Sequence, residues 1–293
     1  MNKRIMVLAA VFAVVLGCSA QIFYKISGNG LEKPSWLFGT HHLAPLSILD
    51  SIPSARQALD ESDRVIGELD MTIGQMALGM ALQPFMMAPS DSTLRDLIAP
   101  DDFARISKVF EQYAPMPGVT LEALSMMRPM VASSMVSIGV ISRSMPGYNP
   151  QEQLDMYFQT SAKEKGKKVA GLETPELQGK LLYTTTPVVK QAADLVEMLD
   201  NPGKIVEHGE ELNKCYMSQN IGELLSLMEG DDSNPQFMEA LLDRRNADWL
   251  SKLPSILKEG GNFVAVGALH LVGDKGVVDG LRKLGYTVEP IWK

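Results

Sequence analysis

"GNFVAVGALHLVGDKGVVDGLRKLGYTVEPIW", residues 261–292 of a 293-residue chain, is the stretch that decides the fold. It reads as strand, helix and strand in succession, a compact α/β unit at the end of the chain. Its first strand, Phe263–Val266, stops at Gly267, and His270 follows three residues later. The same form occurs near the other terminus. "VAVGALHL" (264–271) and "WLFGTHHL" (36–43) share an apolar strand, a glycine, two residues, a histidine and a leucine. Glycine at a strand end, here Gly39 and Gly267, lets another backbone or a ligand approach closely. The histidine beyond it then lies past the carboxyl edge of the sheet, where α/β folds bind ligands. The chain has only four histidines, and this weak repeat uses His42 and His270. The plainer alternative is that each ring only hydrogen-bonds its own loop.

The rest of the chain fits one mixed α/β domain with a central sheet drawn from both ends. "IFYKISGNGLEKPSWLFGT" reads as a β-hairpin, and Ser51–Ser62 as an amphipathic helix with Pro53 in its first turn. "RVIGELD" (64–70) reads as a strand with Glu68 and Asp70 on one face near its end. From Met71 to about Arg143 the pattern is mainly helical, broken at Pro84, Pro89, Pro100 and "APMPG". Gln151–Lys165 is a further helix, "KKVAGLE" a strand, and "TPELQGKLL" a helix capped by Thr174. Pro187–Leu253 adds three or four helices. This long helical insertion is expected to cover the sheet. The methionine-rich stretches, 71–87 and 126–145, are expected to fill the core, with a Met-lined groove for extended apolar peptides as the alternative.

Composition narrows the function. The formal charge is −8 without a clustered basic face, which argues against nucleic acid as a partner. Residues 1–20 have the form of a signal peptide: "MNKR", an apolar run, then "CSAQ". Cleavage near Ala20 would leave a mature domain of residues 21–293, exported to the periplasm or the exterior. "VLGC" offers an alternative, a lipoprotein anchored through Cys18, and membrane association is expected only in that case. After cleavage Cys215 stands alone, so no intramolecular disulfide is available.

Two imidazoles at the sheet edge invite a metal, and a metal wants an anionic third ligand. Glu68 ends a strand nearby, with Asp70 as the substitute. Two histidines and a carboxylate suit Zn²⁺, Mn²⁺, Co²⁺ or Fe²⁺ and leave positions for water and substrate. Other chemistries lack their motifs. There is no G-x-S-x-G, H-E-x-x-H, C-x-x-C or G-x-G-x-x-G in the chain. His208, in "KIVEHGEEL", reads as a surface residue.

"LFGTHH", "VIGELD", "GKKVAGLETPELQ", "LLDRRNADW" and the 263–291 stretch, in this order, resemble the TraB/PrgY/GumN family, which includes the Tiki metalloproteases. It is distantly similar to the erythromycin-esterase/ChaN-like group. The resemblance runs from about Ile22 to Trp292. It implies an α/β domain with two similar halves, each bearing one G-x-x-H. It also implies Mn²⁺- or Co²⁺-dependent cleavage of peptides or protein segments, with His42, His270 and Glu68 at the metal. Glu173 and Arg245–Asn246 fall on family motif positions. An acid there would orient a ligand or act as base, a guanidinium would clamp a carboxylate or oxyanion, and an amide would hold a water. His41 departs from the usual apolar residue; in a continuing pleat it faces away from His42, as a neighbour rather than a ligand. Two alternatives remain open: a protein that sequesters a secreted peptide without turnover, and a metal-free esterase-like hydrolase.

Overall fold

The computed structural model describes residues 21–114, 117–145, 147–150, 152–228 and 235–292. The segment 1–20, with the signal-peptide reading and Cys18, lies outside them. Among the described residues six strands form one mixed sheet: β1 (Phe23–Ser27), β2 (Ser35–Thr40), β3 (Arg64–Gly67), β4 (Lys168–Gly171), β5 (Asn262–Gly267) and β6 (Thr287–Pro290). Their order is β4-β3-β5-β2-β1-β6. β2, β3, β4 and β5 run parallel, and β1 pairs antiparallel with β2 and β6. The sheet is therefore built from both ends of the chain, and β2 and β5 lie side by side at its centre.

Burial explains this order. Every residue of β2 is buried, as are the first five of β5, so each reads as a continuous apolar run. β4 alternates exposed and half-buried positions, as suits an edge. The β1–β2 hairpin turns through Gly28, Asn29 and Gly30, all at positive φ. Phe38 and Phe263 meet Phe158, at ring separations of 5.0 and 4.7 Å. Phe158 belongs to the helix Leu154–Glu164, which the sheet core thereby seats.

Several expectations need correction. The strand at 64–70 stops at Gly67. Beyond it, Gln159 takes the amide of Met71 at 2.8 Å and donates to the carbonyl of Leu69 at 2.9 Å, bending the chain off the sheet. Pro84 does not break its helix, which runs Gln75–Met86. Proline leaves the carbonyl four residues back, that of Met80, without its helical partner, and Met80 is 70% exposed. Nor do all the methionines fill a core. No residue of that helix is buried, and Met76 is 81% exposed. Only its Leu82 and Phe85 side packs closely, over Gly179 of the helix Pro175–Thr184. Finally, much of the insertion packs on itself. Phe103, Phe110, Val136 and Leu195 belong to an apolar cluster separate from the sheet core.

Candidate active site

The four parallel strands each carry a glycine at or next to their last position and deliver one polar residue to the same edge. Glu68 follows Gly67 of β3, and Glu173 lies two residues beyond Gly171 of β4. His270 lies three beyond Gly267 of β5, and His42 three beyond Gly39 of β2. Past the strand ends, the amide of Glu173 still donates to the carbonyl of Glu68 at 2.9 Å, which keeps the two carboxylates adjacent. At Gly39 a Cβ would lie 2.9 Å from the Cα of Ala268, so the glycine is what lets β2 close against the turn carrying His270.

Arg245 organises the cluster. It lies in the helix Arg244–Leu257, directly after a π-helical turn, Glu239–Asp243; such turns often accompany functional sites. Its Nε and Nη2 donate to the two oxygens of Glu173 at 2.7 and 3.1 Å. Nη2 also donates to Glu68 Oε2 at 2.5 Å. Nη1 donates to the carbonyl of Leu241 at 3.1 Å and faces His270 Nε2 at 3.0 Å. These contacts take all five N–H groups of the guanidinium, so none is left for a substrate oxyanion in this arrangement. Glu173 is fully buried and also accepts from Trp249 Nε1 at 2.8 Å. Of the two expected roles, a clamp on a carboxylate or on an oxyanion, this arrangement has Arg245 on the protein's own carboxylates.

His270 is 4% exposed, and both its nitrogens are engaged. Nδ1 meets Asn246 Oδ1 at 2.7 Å, while Asn246 Nδ2 donates to the carbonyl of Lys275 at 3.0 Å. That second bond orients the amide, so its oxygen faces the ring and Nδ1 must carry the proton. Nε2 then holds the lone pair that accepts from Arg245. Burial, and secondarily the Arg245 charge, lower the imidazole to about 4 against the opposing pull of Glu68, so His270 is neutral. Glu68 behaves in the opposite sense. Burial opposes its ionisation, but the facing His270 ring, Arg245 and the Gly267 amide at 2.8 Å outweigh it and hold the carboxyl at about 2. Its Oε1 lies 3.8 Å from His270 Nε2.

His42 is elsewhere in character: its side chain is 71% exposed, and its Nδ1 lies 3.6 Å from Asp155 Oδ2. His41 turns the other way. Its ring tilts against Tyr216 at 5.2 Å, and burial, with the neighbouring His42 charge, lowers it to about 3. Asp70 is not in the site: it caps the turn Met71–Ile73, accepting from the amide of Thr72 at 2.9 Å. The strand ends before it, so the shared face with Glu68 does not exist.

Asp155 was not anticipated. It is 7% exposed, in the first turn of the helix Leu154–Glu164, and accepts from Thr40 Oγ1 at 2.8 Å. Burial, and the nearby Glu68 charge, raise its carboxyl despite the pull of His42. One signal was available. Leu154, Asp155, Phe158, Gln159 and Ala162 share the buried stripe of that helix, and an acid on such a stripe is unusual.

The donors fit a divalent ion in kind: two imidazoles and two carboxylates at one sheet edge. The unpaired buried oxygen of Asp155 is the atom that most calls for a cation. They are arranged as two pairs, His270 with Glu68 and His42 with Asp155. Among the described residues no group of three His, Cys, Asp or Glu side chains gathers around one point.

A mixed sheet whose parallel strands deliver histidine and carboxylate to one edge around a buried arginine defines the class. The chain belongs to the TraB/PrgY/gumN family, whose model matches residues 22–290. It is 23% identical to Metalloprotease TIKI2 of Xenopus tropicalis, over 88% of this chain and 58% of that protein. To Metalloprotease TIKI1 of Homo sapiens it is 24% identical, over 88% of this chain and 60% of that protein. With the Metalloprotease TIKI homolog of Amphimedon queenslandica it shares 23% identity, over 97% of this chain and 66% of that protein. The chain thus spans about three fifths of the length of the vertebrate relatives. No solved structure matches it.

Proposed function

We propose that this protein is an exported metal-dependent hydrolase that cleaves peptides or protein segments. The observation that carries the reading is a neutral His270, its tautomer preset, 3.8 Å from an ionised Glu68 at the sheet edge. The relatives' name, metalloprotease, supports the same direction. His42, His270 and Glu68 are the residues that would hold the ion, Mn²⁺ or Co²⁺ by resemblance, with Zn²⁺ as the substitute. When bound, the ion would polarise a carbonyl oxygen and acidify its water. The chain's own groups do the rest. Asn246 keeps the His270 proton on Nδ1, so Nε2 is the basic nitrogen. Arg245 and Glu173 are positioning residues that fix Glu68. For Nε2 to turn toward ion or substrate, Arg245 Nη1 must let it go.

Export through residues 1–20, with cleavage near Ala20 or lipidation at Cys18, belongs to the same proposal. Arg245 across Nε2 also favours a second reading, a cleft that holds a secreted peptide without turnover. One experiment separates them: chelate the purified chain, reload it with Mn²⁺, Co²⁺ or Zn²⁺, and profile it against a peptide library. Cleavage that returns with metal and is absent from His42→Ala and His270→Ala supports the hydrolase. Stoichiometric peptide capture without cleavage in any metal supports sequestration, and metal-independent cleavage overturns the metal-dependent reading.

A further inference from the structure

We propose that Asp155 is a fourth donor of this centre and ligates, through Oδ2, the same ion as His42; the proposal rests on the metal-dependent reading above. A carboxylate withdrawn from water requires partners for both oxygens. Oδ1 has the hydroxyl of Thr40 at 2.8 Å. Oδ2 has no hydrogen-bond partner among the described residues, although Asp155 is 93% buried. A structural role at the helix start accounts for an acid in the first turn. It does not account for a second buried oxygen that accepts no hydrogen bond.

What that oxygen faces is His42 Nδ1, 3.6 Å away. This is too long for a hydrogen bond. It is the separation of two ligands on one ion: donors each about 2.0–2.2 Å from a common metal stand about 3.3–4.2 Å apart at tetrahedral or wider angles. His270 Nε2 and Glu68 Oε1, at 3.8 Å, meet the same criterion. The two pairs differ in readiness. Arg245 Nη1 occupies the His270 lone pair, whereas buried Asp155 Oδ2 has no hydrogen-bond donor on it among the described residues. The Asp155–His42 pair is therefore the part of the centre prepared to receive a cation first. Thr40 is its positioning residue: it belongs to the same strand end as His42 and holds the other oxygen of Asp155. Two imidazoles and two carboxylates are donors that Mn²⁺, Co²⁺ or Zn²⁺ accepts.

The test is calorimetric titration of Mn²⁺, Co²⁺ or Zn²⁺ alone into the purified chain, with no substrate present. The parent is expected to bind one equivalent. Asp155→Asn, which keeps the shape, and His42→Ala are each expected to weaken binding by at least about tenfold. Thr40→Val removes only the hydroxyl and should weaken it severalfold. A folded Asp155→Asn that binds like the parent overturns the proposal and leaves the metal-dependent reading standing. If Asp155→Asn fails to fold, an unchanged affinity in Thr40→Val overturns it instead. A parent that binds none of the three ions overturns the proposal and the reading together.

Discussion

The two strand-end histidine segments are alike in sequence and opposite in environment. After β5 the chain turns at once through Ala268–His270, and the ring is buried with both nitrogens engaged. After β2 the chain leaves through a turn closed by the Ala44 amide on the His41 carbonyl at 3.0 Å, and His42 stands in solvent beside one carboxylate. The register explains part of this. Gly39 pairs with Val266 and Thr40 with Gly267, so the two motifs are offset by one residue across the ladder. Their histidines cannot occupy equivalent positions. One side of the site is prearranged and the other is free to meet a ligand.

The comparison can be broken most severely at Arg245. Arg245→Leu leaves Glu68 and Glu173 facing each other without their shared cation, and should cost about 3–5 kcal/mol in a urea melt. Next comes the close approach between the segments. Gly39→Ala puts a methyl 2.9 Å from Ala268 Cα and should destabilise by about 1–3 kcal/mol. Gly267→Ala meets only side-chain atoms, Glu68 Oε1 at 3.3 Å and His270 Cδ2 at 3.5 Å, and should lose less stability than Gly39→Ala. The smallest effect is expected at His42→Ala, within about 0.5 kcal/mol of the parent because the ring is exposed. A melt shifted as far as that of Arg245→Leu would mean that the two sides are not different after all.

Acid should act on the two buried imidazoles. His41 and His270 are held at about 3 and about 4, against an ordinary 6.5. Between those limits the unfolded chain binds more protons, so stability is complete above about pH 6.5 and declines as the pH falls toward 4 and then 3. Glu68, held at about 2, extends the loss below its ordinary 4.5. Urea midpoints should hold from pH 7.5 to about 6.5 and fall from there to 4.5, with a shallower slope for His41→Phe. A flat parent profile would contradict the buried, neutral state of both rings.

Much of this architecture was legible. The hairpin, the helix after Pro53, the Thr174 cap and the closing strand–helix–strand unit followed from turn residues and apolar periodicity, which are local causes. Thr174 does accept from the amide of Leu177. Local causes misled where a distant segment intervened. The strand ending in Glu68 was read too long because Gln159, some 90 residues on, pulls the chain away after Leu69. Exposed Met76 and Met80 were read as core because hydrophobicity alone does not say which face finds a partner.

The site divides along the same line. By itself the sequence determined that strands ending in glycine would carry His42, His270 and Glu68 to a sheet edge, since residue type and strand ends are properties of short segments. It also marked Glu173, Arg245 and Asn246 by resemblance. Only the tertiary structure decided their partners: that Arg245 spends every donor on the protein itself, that Asn246 sets the His270 tautomer, and that Asp155 stands beside His42. Apart from the Arg245–Leu241 bond, those contacts join residues 24 to 177 positions apart. No local pattern records them, because burial and charge pairing exist only once the chain has closed on itself.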